Sequence, residues 1–146
     1  EEAIGITRAA SAVSLPVVVS LTVETDGRLP SGQALPEAIT QIDTATTTPP
    51  AYYMVNCAHP THFLQSLDPT ADWVGRIQGV RANASTKSHA ELDAATELDR
   101  GDIGRLTDQY AQLADVLDLR VIGGCCGTDH EHIGAVYDRL VTARAV

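Results

Sequence analysis

Basic residues are scarce in this chain. Its 146 residues carry 10 Lys and Arg against 19 Asp and Glu, a formal net charge of −9. No cluster of positive side chains stands out, so a nucleic-acid-binding surface is not expected. A polybasic footing on an anionic membrane is excluded on the same ground. Acidity of this kind serves solubility. Long apolar runs are also missing: none approaches the roughly 20 residues of a membrane span. The opening "EEAIGITRAA" is acidic and lacks the charged-then-apolar pattern of a signal peptide. Cysteine is rare, with three in all, too few for a disulfide framework and odd in number. Few cysteines and no export signal lead us to expect a reducing cytoplasm. There is no internal repeat and no linker, so residues 1–146 are expected to form a single domain.

What remains is 44% hydrophobic and 20% charged, ordinary for a chain able to bury a core. "PVVVSLTV" (16–23) is a short β-branched run suited to a strand buried on both faces, followed by the turn-rich loop "ETDGRLPSGQ". Pro36 opens a helix to about Thr44. Residues 51–57 read as the next strand and "PTHFLQSL" as a short helix. "RIQGVRANA" (76–84) is a weaker strand because Gly79 interrupts it. Ser88 and Glu91 fit a capping box at the front of "SHAELDAATELD". Ile103, Leu106, Tyr110, Leu113 and Leu117 give the next helix one apolar face. Residues 119–124 form a strand, and Ile133, Val136, Tyr137, Leu140 and Val141 share a face of the helix after it.

Strand alternating with helix predicts an α/β fold with a parallel sheet, whose functional groups collect at the carboxyl ends of the strands. Cys57 ends one such strand, and Cys125 and Cys126 end another. Three readings stay open for them. The thiols can be core packing, since free cysteine is often buried. The adjacent pair can form a vicinal disulfide, which a cytoplasm would tend to reduce. Or all three can hold a metal, three thiolates with an open fourth position being the arrangement of a catalytic zinc site. Gly123, Gly124 and Gly127 supply the backbone freedom for both neighbours to face one site. His59, His62, His130 and His132 compete as ligands, though each reads first as a solvated loop or helix-start residue. Thr128 and Glu131 fit a second capping box, so Glu131 is not taken as a catalytic acid.

"NCAHP" (56–60) together with "GGCCGT" (123–128) resembles the carboxyl-terminal half of the homocysteine S-methyltransferase family. "PVVVSLTVETDGRLPSG" and the asparagine of "RANAS" extend the resemblance along the chain. It implies the C-terminal half of a (β/α)8 TIM barrel, about four parallel strands alternating with helices. It implies one Zn²⁺ held by Cys57, Cys125 and Cys126, and a zinc-dependent thiol S-methyltransferase converting homocysteine to methionine, a step of methionine biosynthesis. A small free donor is expected, S-methylmethionine or S-adenosylmethionine, since no folate-type or corrinoid-type domain accompanies the site. Asn83 matches a family asparagine and is expected at the site mouth, orienting substrate or capping the vacant metal position. Three cysteinates and Zn²⁺ sum to a charge of about −1, which keeps a bound thiolate nucleophilic.

The chain is shorter than the roughly 250 residues of a whole barrel. It is therefore expected to be a single partial domain with two unpaired sheet edges and an open hydrophobic inner face. Such a piece would self-associate or need the missing N-terminal half, with Glu1 and Glu2 belonging to the helix after the fourth strand of the barrel. The alternative function is a non-catalytic zinc-binding or self-associating module.

Overall fold

The computed structural model describes residues 1–144; the last two residues of the expected domain, 145 and 146, lie outside it. Helix α1 (Glu2–Ala12) leads into strand β1 (Val19–Thr22), then α2 (Leu35–Ala45) and β2 (Tyr53–Asn56). Three single 3-10 turns fill the span to β3 (Ile77–Ala82). Helices α3 (His89–Asp93) and α4 (Ile103–Val116), strand β4 (Val121–Gly124) and helix α5 (His130–Arg144) complete it. The four strands form one sheet in the order β1-β2-β3-β4, every neighbouring pair parallel. The expected α/β alternation is therefore present.

Each strand is shorter than its sequence signal. Pro16, Val17 and Val18 precede the paired residues of β1, and Pro49 and Pro50 delay β2. Strand β3, expected to be the weakest, is the longest. A bulge offsets Tyr53–Ile77 from Met54–Gly79, and the Met54 side chain lies over Gly79, where a Cβ would approach it to 2.8 Å. Glycine there makes room for a neighbour rather than ending the strand.

Alternation along the strands sorts the sheet into two unlike faces. Val19, Leu21, Tyr53, Val55, Val80 and Ala82 point into one core shared with Leu35, Ile39 and Ile42 of α2, Leu106, Tyr110 and Leu113 of α4, and Val136 of α5. The register places Ser20, Thr22, Asn56, Arg81 and Gly123 together on the other face. There Ser20 Oγ donates to Asn56 Oδ1 at 2.5 Å and Asn56 Nδ2 donates to Thr22 Oγ1 at 3.0 Å. The open face is thus mainly polar, which corrects the expectation of a hydrophobic one. Its apolar members are Met54, folded down over Gly79, and half-buried Val121. Both outer strands keep one unpaired edge among the described residues.

Local chemistry explains the helices and their departures. Pro36 sits in the first turn of α2, and the Glu37 carboxylate accepts from the Ala34 amide at 3.2 Å. The Ser88–Glu91 capping box forms, but α3 stops at Asp93, short of the expected run to residue 99. None of its residues is buried, so nothing supports propagation beyond the cap. Helix α5 buries Val136, whereas Tyr137 and Val141 of the expected apolar face are exposed. The chain turns into α5 on Asp129, whose carboxylate accepts from the amides of Glu131 and His132. Thr128 instead donates its hydroxyl to the Cys125 carbonyl at 2.8 Å, so the expected Thr128–Glu131 box does not form.

The far end of the sheet is held by a separate polar cluster. Arg76 donates to both Asp43 carboxylate oxygens and to the Pro50 and Ala51 carbonyls, while the Tyr53 hydroxyl donates to Asp43 at 2.8 Å. It fastens the chain before β2 and β3, at the opposite ends of these strands from the cysteines.

Candidate metal centre

The residues that follow β2, β3 and β4 continue the sheet's pairing past its formal ends. The Cys57 amide donates to the Arg81 carbonyl at 3.0 Å, Asn83 to Ala58 at 3.1 Å, Cys125 to Ala82 at 2.8 Å and Ala84 to Cys126 at 3.0 Å. Three loops are in this way stitched side by side at one end of the sheet. Cys57 adopts φ 52°, a left-handed conformation that costs a non-glycine residue on the order of 1–3 kcal/mol. The break in strand geometry on this loop therefore occurs at the lone cysteine itself. On the other loop it falls at Gly127, with φ 78°. A Cβ on Gly127 would lie 2.2 Å from the Asp99 carbonyl oxygen, so only glycine fits this turn.

The outcome is convergence of the three sulfurs. Cys57, Cys125 and Cys126 place their Sγ atoms within 4.8 Å of one another. Cys57 and Cys125 are half-buried and Cys126 is exposed. In this structure the sulfurs of Cys57 and Cys125, 68 residues apart in sequence and 5.5 Å apart between Cα atoms, lie close together as a pair, and Cys126 stands outside that pair. The adjacent pair does not form a vicinal disulfide. Reduced, the trio is a compact set of soft donors of the kind zinc takes at about 2.3 Å each. The donor set fits that metal. Among the described residues it is the one group of three or more His, Cys, Asp or Glu side chains close enough to share an ion.

None of the four competing histidines joins it. His59 is buried, not solvated; its Nδ1 accepts from the Thr61 amide and faces the Thr61 hydroxyl at 2.8 Å. Burial, reinforced by nearby His62 and Arg105, pushes its pKa down to about 4, so it is neutral at pH 7. His62 Nε2 donates to the Thr86 carbonyl at 2.9 Å. His132 is fully buried, with Nε2 donating to the Arg100 carbonyl at 2.9 Å and Nδ1 2.8 Å from the Asp129 carboxylate. His130 is exposed at the start of α5. Glu131 pairs with Arg100 at 2.6 Å, and Arg100 also contacts Asp129.

Asn83 is 2% exposed and lies behind the cysteines rather than at a mouth. Its Nδ2 donates to the Cys57 carbonyl and its Oδ1 accepts from the Cys126 amide, both at 3.1 Å. Those two bonds join both ends of the amide to backbone, so the side chain braces the two cysteine loops.

Two residues had no place in the sequence-based site. His89, at the start of α3, directs Nε2 to the Cys57 carbonyl at 2.6 Å and Nδ1 to the Glu24 carboxylate at 3.0 Å. Its pKa is raised, chiefly by the bond to the Cys57 carbonyl and further by Glu24, against the opposing effect of partial burial. Glu24 follows β1, so the loops after all four strands reach this end of the sheet. The one sequence signal for His89 was its position beside the Ser88 cap.

The sequence model of the homocysteine S-methyltransferase family matches residues 1–140. The chain belongs to that family, a family of methyltransferases. No curated protein and no solved structure matches the chain.

Proposed function

We propose that this chain carries the zinc site of a homocysteine S-methyltransferase, with Cys57, Cys125 and Cys126 as ligands. Homocysteine is the acceptor and becomes methionine, and the donor is small, S-methylmethionine or S-adenosylmethionine. The observation that supports this reading is the meeting of three sulfurs from two strand ends within 4.8 Å, in a chain of this family. Bound zinc would supply the positive charge that lets a fourth thiol lose its proton near neutral pH.

The chain's own residues do the rest. Three cysteinates offset the metal's charge and leave the site electron-rich. Asn83 fixes the spacing of the two cysteine loops. The parallel order of the four strands, with one face of the sheet left free of helices, supports reading the sheet as four strands of a (β/α)8 barrel wall. Parallel sheets otherwise occur almost entirely with both faces covered. On this reading the chain is one partial domain, and its thiols suit a reducing cytoplasm.

A second reading, a non-catalytic zinc-binding or self-associating module, is favoured by the open edges and by exposed Ile6 of α1 and Val18 just before β1. Zinc content of the reduced chain, purified without added metal, tests the ligand set. About one zinc in the parent and little in Cys57→Ser is expected; equal content in both would sink it. Methionine formation from homocysteine with each donor, alone and with the remainder of a barrel supplied, separates the two readings. Zinc uptake without methyl transfer under any condition would favour the module.

A further inference from the structure

The contacts around Cys57 do more than bring sulfur to sulfur. Its peptide group is held on every side: the amide donates to Arg81, and the carbonyl accepts from Asn83 Nδ2 at 3.1 Å and His89 Nε2 at 2.6 Å. Asn83 divides its amide between two loops, whereas His89 has no partner at the second cysteine loop. The second nitrogen of His89 meets the Glu24 carboxylate at 3.0 Å. Each ring nitrogen thus faces an oxygen, one the Cys57 carbonyl and the other the Glu24 carboxylate, so the imidazole is held from both sides. Hydrogen bonds to an ionised carboxylate are shorter and about twice as strong as neutral ones.

Both members of the pair are themselves fixed. The Glu24 amide donates to the Arg28 carbonyl at 2.7 Å and the Glu24 carbonyl accepts from Gly27 at 3.0 Å, closing the turn after β1. The capping box beneath His89 sets the first turn of α3: the Ser88 amide donates to Glu91 Oε2 at 2.8 Å. The two side chains meet 65 residues apart in sequence, over the one non-glycine residue of the cysteine loops with positive φ.

We propose that Glu24 and His89 are a positioning pair for the metal site, holding the Cys57 peptide in its left-handed conformation so that the thiol stays aimed at Cys125 and Cys126. This rests on the zinc reading above. A left-handed non-glycine residue relaxes toward the β or right-handed region once its restraints go. Either change re-aims the Cys57 side chain relative to the other loop. Neither Glu24 nor His89 touches a sulfur; they act through the Cys57 carbonyl.

The test is zinc affinity of the reduced full chain, measured by competition with a chromophoric chelator, alongside the visible spectrum of the cobalt(II)-substituted chain. His89→Ala is expected to weaken zinc about 10–100-fold, the usual loss when a ligand's supporting partner is removed, and to alter the cobalt bands. His89→Gln keeps an N–H donor and is expected to recover part of the loss. Glu24→Gln is expected to weaken zinc by a smaller factor, and its partial exposure makes it the deciding variant should His89→Ala not fold. Parent-like affinity and spectrum in the folded variants would overturn the pairing while leaving the three-thiolate site standing. A reduced parent that takes up no zinc would overturn both.

Discussion

Asn83 and Cys126 are joined by a 3.1 Å hydrogen bond from the Cys126 amide to the Asn83 side-chain oxygen, and the same side chain donates to Cys57 from its other end. One buried amide thus fixes the separation of the loops after β2 and β4. Asn83→Ala strands the Cys126 amide and takes one of two donors from the Cys57 carbonyl, and should lower unfolding stability by about 1–3 kcal/mol. Asn83→Asp preserves the acceptor for Cys126 but sets a carboxylate against the Cys57 carbonyl, so it should not restore the parent. Urea midpoints of the reduced chains check both; a parent-like midpoint in Asn83→Ala would remove the brace from the account.

Tyr110 ties α4 to the sheet by its hydroxyl, which donates to the Gly123 carbonyl at 2.7 Å and accepts from the Ala82 amide at 3.1 Å. Burial pushes its pKa up to about 12. The unfolded chain therefore releases this proton first as pH rises past about 10, and stability falls between there and pH 12. Tyr110→Phe should cost about 1–3 kcal/mol at neutral pH and flatten part of that alkaline decline. Denaturant melts at pH 7 and across pH 9–11 would show both effects.

Gly127 offers a sharper steric test. With φ 78° and the Asp99 carbonyl 2.2 Å from where a Cβ would sit, Gly127→Ala cannot keep the present turn. We expect a loss of more than about 1 kcal/mol and a displaced Cys126. The rate of Cys126 alkylation, compared with the parent, reads the displacement directly. Unchanged stability and reactivity would mean the loop accommodates a methyl group by another route.

Asp99 bonds to Lys87 at 2.9 Å, to the Gly101 amide and to the Ser85 hydroxyl, and these hold its pKa at about 2. Its folded value lies below the unfolded value, so its contribution is complete above about pH 4 and is lost as pH falls toward 2. Asp99→Asn should shift acid unfolding measured by circular dichroism and make the remaining decline shallower over that window. An identical acid limb in parent and variant would show that the loop does not depend on this ionisation.

The periodic parts of the fold were legible because burial repeats along them. Leu106, Tyr110 and Leu113 announced α4, and a β-branched run announced β1. Gly79 misled because its reason is a neighbour's side chain, Met54, which no local pattern reveals. Tyr137 and Val141 misled in the opposite sense, as an apolar face with no sheet beneath it. The cysteines were legible as a family motif, and the rule that groups gather at strand ends anticipated their meeting. Glu24 and His89 were not, because a carboxylate and an imidazole 65 residues apart leave no shared signature. His59 and His132 were misjudged for a related reason: His132 is buried through a bond to the Arg100 backbone, a partner that only tertiary structure supplies.

The strands pair in the order in which they occur in the chain, so the sheet can grow by adding each strand to the edge of the last. The sulfur cluster cannot grow that way. Cys57 is presented as soon as β2 docks, yet its partners arrive 68 residues later, after a loop closure whose entropic cost the intervening β3 has largely met. A metal offered to a partly folded chain would meet at most one or two of these thiols. Cluster formation therefore requires β2 and β4 both to be docked on β3, and metal uptake followed in time during refolding is expected to report that docking rather than the initial collapse.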